Sequence, residues 1–534
     1  LGELVAETSY PCTPDDGGPA VEHAYSYDQL GRMYRDDAED HRPGAPNEPN
    51  ALQTVFDAFG RPCAFQTLRD GATGDEVMNE VVRQYGPFGE LLAEYQAHHG
   101  PVATGTPVVG YEYADPQDGL FLQTIDYPGP SNREVHYHYA AGIDAAIGRV
   151  TEIRDSILDA EDGDGNGTIE RYTYLGLATI VRREQPESGL LQTYCKSDIA
   201  ALPAAQEQWA QRPGAEPAFD AGQSDPYTGL DRFGRVIDLS WLAPAATAED
   251  LKVLDRFQYA YDAAGNKLYK LNVVHPASSD LYHASGGDAN DAYDRFGRLT
   301  YYARGTLGKS ASNGRYDRVD DPVTWRWWAL DAEGKWDRLE RMGQPTLTLN
   351  EEGLLTEKDQ EDAAGNQTAS SMPAGFAGAC GYDAWNRLVN SKKQTSIRSA
   401  GQVVADVTYT YDALGRLIRQ AQWEGGPTGV PVPVDFYHSA AWQTIYETTG
   451  TMAVGEEPQV ESVREHVWSL AYVDAMVLSE QQSAGGAKTG RYAPTQDASW
   501  NVTALVELDG TAAAPADAAV VRRYIYEPYG QATA

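Results

Sequence analysis

The sequence predicts an all-β chain built from stacked β-hairpins, and three observations support this fold class. The 534 residues include 33 Tyr, 52 Gly and 30 Pro, a composition that suits short strands joined by many turns. A six-residue pattern returns along the chain at intervals of about 30 residues. The flanking segments alternate polar and apolar side chains with the period of a strand, as in Val407-Thr408-Tyr409-Thr410-Tyr411.

The charge balance excludes several classes of function. Lys and Arg total 42 against 78 Asp and Glu, which gives a formal net charge of −36. Such a surface repels nucleic-acid phosphates and anionic membranes, so we expect neither as a partner. Mean hydropathy is −0.50, and no apolar run is long enough to predict a membrane span. Residues 1–7 lack the pattern of a secretory signal, so we expect the chain to begin within a strand.

The repeated hexad consists of an aromatic residue, Asp, two variable residues, Gly, and Arg or Asn. Its close copies begin at Tyr27, Phe56, Leu230, Tyr261, Tyr293, Tyr382 and Tyr411. Successive Asp positions are 29 residues apart from 28 to 57, 31 from 231 to 262, and 29 from 383 to 412. Two long intervals, 86–231 and 412–527, keep the strand-like alternation, so we expect diverged repeats there.

Each hexad predicts a tight turn between two strands. The Asp side chain accepts hydrogen bonds from backbone N–H groups further along the turn. Gly takes the left-handed conformation that a type I turn with a bulge requires, and Asn is the next most tolerant residue. The predicted structural turn residues are Asp28, Gly31, Asp57, Gly60, Asp231, Gly234, Asp262, Gly265, Asp294, Gly297, Asp383, Asn386, Asp412 and Gly415. Because a lone hairpin is marginally stable, we expect the hairpins to stack edge to edge.

These hexads resemble the Rhs, or YD-repeat, family, which is named for this Tyr-Asp pair. The resemblance is carried by segments such as 229–236 and 382–388, covers nearly the whole chain, and is strongest from about 220 to 534. The family includes bacterial Rhs toxins, the B and C components of insecticidal toxin complexes, and animal teneurins. The resemblance implies a spiralling β-sheet that curves into a hollow shell, which in the toxin members encloses a variable C-terminal toxin.

The same resemblance implies a limit on catalysis. Toxin members carry a core region after the last repeats, with aspartates that cut the toxin free. This chain stops at 526–534, where that core would begin, so no cleaving Asp is carried over.

We interpret residues 1–534 as a single YD-repeat segment. It divides into N-terminal repeats over 1–196, an irregular Ala/Gln/Pro-rich insertion over 197–226, and C-terminal repeats over 227–534. Residues 480–490 are rich in Gly and Ala and predict a loop.

One segment carries the spacing of a calcium loop. Asp162, Asp164 and Asn166 supply oxygens at the first, third and fifth positions, followed by Gly167. The twelfth position is Thr rather than the usual Glu, and Glu170, or Asp159 and Glu161 upstream, are candidate substitute ligands. Calcium is therefore the one cofactor that the sequence suggests. The alternative is a Gly-rich hairpin tip that binds no metal.

No enzyme signature is present: the sequence lacks HExxH, GxSxG, a P-loop and a GxGxxG after a strand. The four Cys form no CxxC pair, so a zinc site is not predicted. Trp325 and Trp327 share a strand face. They are candidates for a sugar-binding platform, although filling the sheet is the simpler role.

The sequence leaves two functions open. The first is a non-enzymatic β-shell, secreted or on the cell surface, that encloses or presents another polypeptide segment such as a C-terminal toxin. Its partner would be the remainder of its own polypeptide or an encapsulated effector. The second is an extracellular adhesion or carbohydrate-binding protein that binds a cell-surface glycan or protein.

Overall fold

The fold follows from the alternation of short strands and tight turns, and it is described here from a computed structural model. The structure describes residues 6–9, 21–40, 49–72, 74–115, 119–158, 167–194, 227–244, 251–282, 292–310, 314–332, 336–343, 347–348, 360–361, 367–371, 377–394, 403–424, 430–451, 459–508, 519–528 and 532–533. Within these ranges helix is limited to short segments, among them α1 (Ile143–Ile147) and a 3-10 turn at Pro276–Ser278.

Strands make up most of the described chain. The strands of the first two thirds are β1 (Ala6–Ser9), β2 (Val21–Tyr27), β3 (Met33–Asp40), β4 (Ala51–Phe56), β5 (Pro62–Gly71), β6 (Gly74–Tyr85), β7 (Leu91–Ala97), β8 (Val108–Tyr113), β9 (Leu122–Asp126), β10 (Glu134–His138), β11 (Glu152–Asp155), β12 (Thr168–Leu175), β13 (Thr179–Gln185), β14 (Leu190–Thr193), β15 (Asp238–Pro244), β16 (Leu251–Tyr261), β17 (Lys267–Asn272), β18 (Asp280–Leu281), β19 (Tyr301–Lys309), β20 (Tyr316–Leu330), β21 (Trp336–Arg341) and β22 (Leu347–Thr348).

The remaining strands continue the same pattern. They are β23 (Gln360–Glu361), β24 (Gln367–Ser371), β25 (Ala377–Tyr382), β26 (Leu388–Gln394), β27 (Val403–Tyr411), β28 (Leu417–Glu424), β29 (Pro431–His438), β30 (Thr444–Thr451), β31 (Gln459–Trp468), β32 (Met476–Ser483), β33 (Lys488–Gln496), β34 (Val502–Glu507), β35 (Ala519–Arg523), β36 (Ile525–Tyr526) and β37 (Ala532–Thr533).

The chain forms two compact units, and each combines separate stretches of sequence. Unit 1 consists of Leu1–Val135, Glu357–His466 and Gln481–Thr489. Unit 2 consists of His136–Thr356, Val467–Glu480 and Gly490–Ala534. The predicted insertion over 197–226 lies outside the described residues.

Unit 1 contains two antiparallel meanders, in which each strand pairs with the next along the chain. The leading meander runs from β1 to β9. The trailing meander runs from β23 into β31. Val21 and Ala384 are buried against each other, so the two meanders share a small apolar cluster with Ala38 and Trp385.

Unit 2 is organised in the same way. Its leading meander runs from β11 to β22, and its trailing meander joins β33, β34 and β35. Aromatic side chains fill much of the core of this unit. Trp241 and Trp328 are fully buried, and the ring of Trp328 stacks on Tyr302 with centroids 5.9 Å apart.

A bulge marks the end of the strand before five of the seven close hexads, and the other two, at Leu230 and Tyr293, form isolated bridges instead. The pairing register shifts next to Tyr27, Phe56, Tyr261, Tyr382 and Tyr411. This shift is the structural result of the turn with a bulge that the Gly position predicts.

The predicted loop over 480–490 is wrong for most of its length. Strand β32 extends to Ser483 and β33 begins at Lys488, with a tight turn around Gly486, whose φ is 80°. Gly and Ala here form a hairpin because they allow a sharp turn, not because the segment is irregular.

Candidate functional site: the hexad turns and the contacts between meanders

The hexad turn at Asp28 shows how the repeated residues act together. The N–H of Gly31 donates to the carbonyl of Asp28 at 3.0 Å, and Gly31 has a φ of 76°. One carboxylate oxygen of Asp28 accepts from the N–H groups of Leu30 and Arg32 at 2.8 and 3.0 Å. The other accepts from the Arg32 guanidinium at 2.7 Å. The backbone N–H and guanidinium of Arg32 hold the pKa of Asp28 below its usual range.

The other predicted turns have the same geometry. The backbone bond from the fifth hexad residue to the Asp carbonyl is present at Gly60, Gly234, Gly265, Gly297, Asn386 and Gly415. All six residues have positive φ, including Asn386 at 58°. In the turn at Asp262, Asn266 replaces Arg and donates its side-chain amide to the carboxylate at 2.8 Å.

The hexad Arg connects its own turn to the following one. The Arg235 guanidinium lies 4.7 Å from the ring centroid of Tyr261 and donates to the carbonyl of Asp262 at 3.3 Å. Arg387 contacts Tyr411 and Asp412 in the same way, at 5.1 and 3.1 Å. Four of the six hexad Arg therefore pair with their own Asp and also donate to a carbonyl of the next turn: Arg32, Arg61, Arg235 and Arg387.

The hexad Tyr makes the reciprocal contact. The hydroxyl of Tyr261 donates to the carbonyl of Val236 at 3.0 Å, and that of Tyr411 donates to the carbonyl of Leu388 at 2.9 Å. Each acceptor is the residue that follows the previous hexad Arg. Neighbouring hairpins are thus joined in both directions, beyond the hydrogen bonds between their strands.

Diverged turns that the sequence motif did not identify occur in the described part of the interval 412–527. The backbone N–H of Trp442 donates to the carbonyl of Ser439, and the backbone N–H of Trp500 donates to the carbonyl of Asp497. Both Trp occupy the Gly position, with φ of 67° and 64°. The signal that could have found these turns is spacing, because Ser439 and Asp497 lie 27 and 85 residues after Asp412, close to one and three repeats.

In unit 1, turns of the trailing meander are bound by side chains of the leading meander. Gln96 donates its amide to the carbonyl of His438 at 2.6 Å and accepts from the N–H of the same residue at 3.0 Å. Asn79 donates to the carbonyl of Tyr411 at 3.1 Å. The Tyr111 hydroxyl accepts from the N–H of Ala440 at 2.7 Å. Strand side chains therefore satisfy backbone groups that a turn would otherwise present to water.

A buried charge cluster strengthens this contact in unit 1. Arg416 pairs with Asp412 in its own turn and with Glu94 of β7, each at 2.7 Å. All three side chains are at most 1 % exposed. Burial lowers the pKa of Arg416, but Asp412 and Glu94 outweigh it, so the guanidinium remains charged.

Unit 2 repeats the arrangement around the turn at Asp497. The indole of Trp241 donates to the backbone carbonyl of Gln496 at 2.8 Å. Arg183 donates to the side-chain oxygen of Gln496 at 2.9 Å. The Tyr259 hydroxyl accepts from the N–H of Ala498 at 3.2 Å. In both units, then, side chains of the leading meander hold a turn of the trailing one.

The calcium prediction lies largely outside the described residues, since Asp162, Asp164 and Asn166 are among the residues not described. Glu170 is fully buried, and its carboxylate accepts from Arg183 at 2.9 Å and from the hydroxyl of Tyr172. In the described ranges, no group of three or more His, Cys, Asp or Glu side chains is arranged to hold a metal ion. Calcium binding at this loop stays a prediction.

The structure also places a tryptophan of the candidate sugar-binding platform and two of the four cysteines. Trp327 lies 5.8 Å from the guanidinium of Arg338, next to the buried Trp328. Cys63 and Cys380 are free thiols. No helix in the described ranges has the length and apolarity to cross a membrane.

Comparison with solved structures identifies the fold. The chain is similar to the Tc holotoxin pore of Photorhabdus luminescens, with 12% identity and a TM-score of 0.54 over 99% of this chain and 27% of that one. A structure of TcdB2-TccC3 without its hypervariable C-terminal region also matches, with 12% identity and a TM-score of 0.36 over 99% of this chain and 29% of that one. No protein-family model and no curated protein matches the sequence.

The likeness to the holotoxin pore confirms the predicted fold class. The chain is an all-β protein of stacked hairpins with the YD-repeat β-shell fold. It spans about a quarter of the length of the chain that it matches.

Proposed function

We propose that the chain is a non-enzymatic section of a β-shell that encloses or presents another polypeptide segment, in a secreted or cell-surface protein. The partner is the remainder of its own polypeptide or an encapsulated effector. The similar chain belongs to a Tc holotoxin pore, which supports a toxin-related guest.

The observation that supports this proposal most is the seating of turns on strands within each unit. Gln96 and His438 exchange two hydrogen bonds, and Trp241 reaches Gln496. Contacts of this kind close the gaps between adjacent meanders, and a barrier that shields a guest must have no such gaps.

The buried charges support the proposal in a second way. Arg416 with Glu94 in unit 1, and Arg183 with Glu170 in unit 2, are at most 1 % exposed. Buried ion pairs add little net stability but fix the geometry of the groups they join. A container benefits from that rigidity. The hexad carboxylates are bound within their own turns, by Arg or, at Asp262, by Asn266, and are not poised for catalysis.

Protease protection tests the proposal. A flexible reporter peptide with one thrombin site is fused after Ala534, and its cleavage rate is compared with that of the free peptide. We expect cleavage to be slower by about tenfold or more, because only rare openings expose an enclosed segment. The matched control is the double variant Tyr259→Phe and Gln496→Ala, which removes two contacts between the meanders of unit 2, the unit that contains Ala534, and should restore rapid cleavage. Cleavage of the fused reporter at the free-peptide rate would overturn enclosure, which is the part of the proposal that this experiment tests.

A further inference from the structure

Two hexad turns of unit 2 carry the same exposed pair of side chains. The segments 231–235 and 294–298 share the sequence Asp-Arg-Phe-Gly-Arg. Phe233 is 67% exposed and Phe296 is 61% exposed. We call Arg232 with Phe233, and Arg295 with Phe296, the Arg–Phe tips.

The second and fifth residues of each segment have different roles. Arg235 and Arg298 pair with Asp231 and Asp294 inside the turn, at 2.7 and 2.6 Å. Across the described part of the chain, Arg232 has no carboxylate partner. The same holds for Arg295 over those residues. Among the described residues, therefore, these two guanidinium groups are not engaged by a carboxylate and can bind an outside partner.

Each tip is a preassembled stack. The Arg232 guanidinium lies 4.6 Å from the ring centroid of Phe233, and that of Arg235 lies 5.2 Å away. At the other tip, Arg295 and Arg298 lie 4.7 and 5.2 Å from Phe296. Stacking on the ring limits the motion of the unpaired guanidinium, so less entropy is lost when it binds a carboxylate.

The turn between the two tips, at Asp262, carries no large side chain at its centre. Its tip residues are Ala263 and Ala264, which are small and exposed. A Cβ built on Gly265 meets no atom within 4 Å. Successive turns on one side of the sheet are two strands apart, so the tips are separated by about 19 Å. An extended peptide covers that distance in about six residues.

We propose that the Arg–Phe tips form a docking surface for an extended acidic polypeptide segment with apolar side chains between two carboxylates. The carboxylates pair with Arg232 and Arg295, and the apolar side chains lie on Phe233, Phe296 and the alanines between them. The inference goes beyond the proposed function, because binding at exposed turns requires no enclosure.

Charge explains why this surface selects an acidic segment. The whole chain has a net charge of −36, so an acidic peptide is repelled from most of it. The three turns from 231 to 298 contain four Arg against three Asp in their hexads. Electrostatic attraction therefore directs an acidic partner to this surface, whereas a basic one would bind at many places.

Fluorescence anisotropy tests the proposal. The probe is a fluorescein-labelled peptide with two Glu at each end, about six residues apart, and Leu between them. We expect a dissociation constant on the order of 100 µM at low salt, weakening as salt is added. The variant Arg232→Glu with Arg295→Glu should weaken binding by about tenfold or more, and Phe233→Ala with Phe296→Ala should weaken it similarly.

Matched controls distinguish binding at the Arg–Phe tips from nonspecific binding. Phe59 occupies the same hexad position and is 85% exposed, but Ala58 stands where the tips have Arg. Phe59→Ala should leave the affinity unchanged, and circular dichroism should show that every variant is folded. The proposal is overturned by no binding at millimolar peptide, by equal affinity of the Arg variant, or by a heparin fragment that binds the tips as tightly as the peptide. These outcomes leave the reporter experiment on enclosure unaffected.

Discussion

At the scale of single residues, each hexad position has a separate physical task. Asp organises the turn, Gly or Asn adopts the left-handed backbone, Arg binds the next turn in four of the hexads, and Tyr binds the strand after the previous turn. The role of a residue could therefore be predicted from the sequence wherever that role depends only on its own turn. The partner of Glu94 could not, because Arg416 lies 322 residues away in the sequence.

The glycines at 265 and 415 test the turn mechanism. Their φ angles are 93° and 87°, and a Cβ at either position meets no atom within 4 Å. Gly→Val at each site should lower the free energy of unfolding by more than about 1 kcal/mol, through backbone strain alone. Urea denaturation measures the change. Gly→Asn is the matched control and should cost clearly less; equal losses for Val and Asn would argue against the mechanism.

The buried cation Arg416 should matter more than its exposed counterparts. Arg416→Met leaves the buried carboxylate of Asp412 without its cation, while Glu94 keeps only its ion pair with Arg83. We therefore expect a loss of about 3 kcal/mol. Arg298 occupies the same hexad position but is 26% exposed. Arg298→Met should therefore cost less than about 1 kcal/mol. Chemical denaturation compares the two, and similar losses would show that the burial of Arg416 is unimportant.

Two histidines of unit 1 should make the stability of the protein depend on pH in opposite directions. Burial lowers the pKa of His438, and the charge of Arg416 adds to this effect, while the hydrogen bond to the Leu417 carbonyl opposes it. The unfolded chain then binds the proton more tightly, so stability is lost as pH falls below 6.5, the ordinary value. The hydrogen bond to Asp36 raises the pKa of His23. Its contribution is therefore complete below 6.5 and is lost as pH rises through the raised value.

Melting temperatures from pH 5 to 8 measure both effects. His438→Gln should reduce the loss of stability on the acid side. His23→Gln should instead reduce the relative gain at low pH. If both variants change the pH profile in the same direction, the assignment of the two environments is wrong.

At the scale of strands and turns, prediction succeeded where the motif is intact and failed where it has diverged. The hexads at 28, 262 and 412 gave the correct turns, and the expectation of diverged repeats in the interval 412–527 is confirmed. Trp500 could not be placed, because a bulky residue at positive φ contradicts local preference. Its ring stacks on Tyr472 at 5.5 Å, and Arg183 lies 4.8 Å away, so packing offsets the strain.

The hexad Tyr should stabilise hairpin register through two separable contacts. Tyr261→Phe keeps the ring under Arg235 and removes only the hydrogen bond to Val236, so we expect a loss of about 1 kcal/mol. Tyr261→Ala removes the ring as well and should cost more. Thermal unfolding distinguishes them, and an equal effect of Phe and Ala would mean that the ring contributes nothing.

At the scale of the whole molecule, chain order and spatial grouping differ. Each unit draws on both ends of the sequence: unit 1 joins residues before 136 to residues after 356, and unit 2 joins 136–356 to residues after 466. The repeat spacing indicated one continuous series of hairpins. It held no information about which hairpins meet, since that depends on side chains such as Gln96 and Tyr127, which lie outside the motif.

Cutting the chain between Thr356 and Glu357 should therefore disrupt both units. The fragments 1–356 and 357–534, produced separately, should each lack a cooperative melting transition, because buried donors such as Gln96 lose their acceptors. Mixing or co-expressing them should restore the transition. Calorimetry checks both statements, and a cooperative transition in the isolated 1–356 fragment would contradict them.

Residues that contact each other across the two meanders are separated by a nearly constant number of residues along the sequence. This constant separation limits how the number of repeats can change. In unit 1 the contacts Asn79–Tyr411, Gln96–His438 and Tyr127–His466 join residues 332, 342 and 339 positions apart. Duplicating one hairpin within the leading meander would move every later pair out of step by a whole repeat. Duplication of a second hairpin, at the matching place in the trailing meander, would bring the pairs back together. Insertions and losses of repeats that survive selection should therefore occur in pairs, one in each meander.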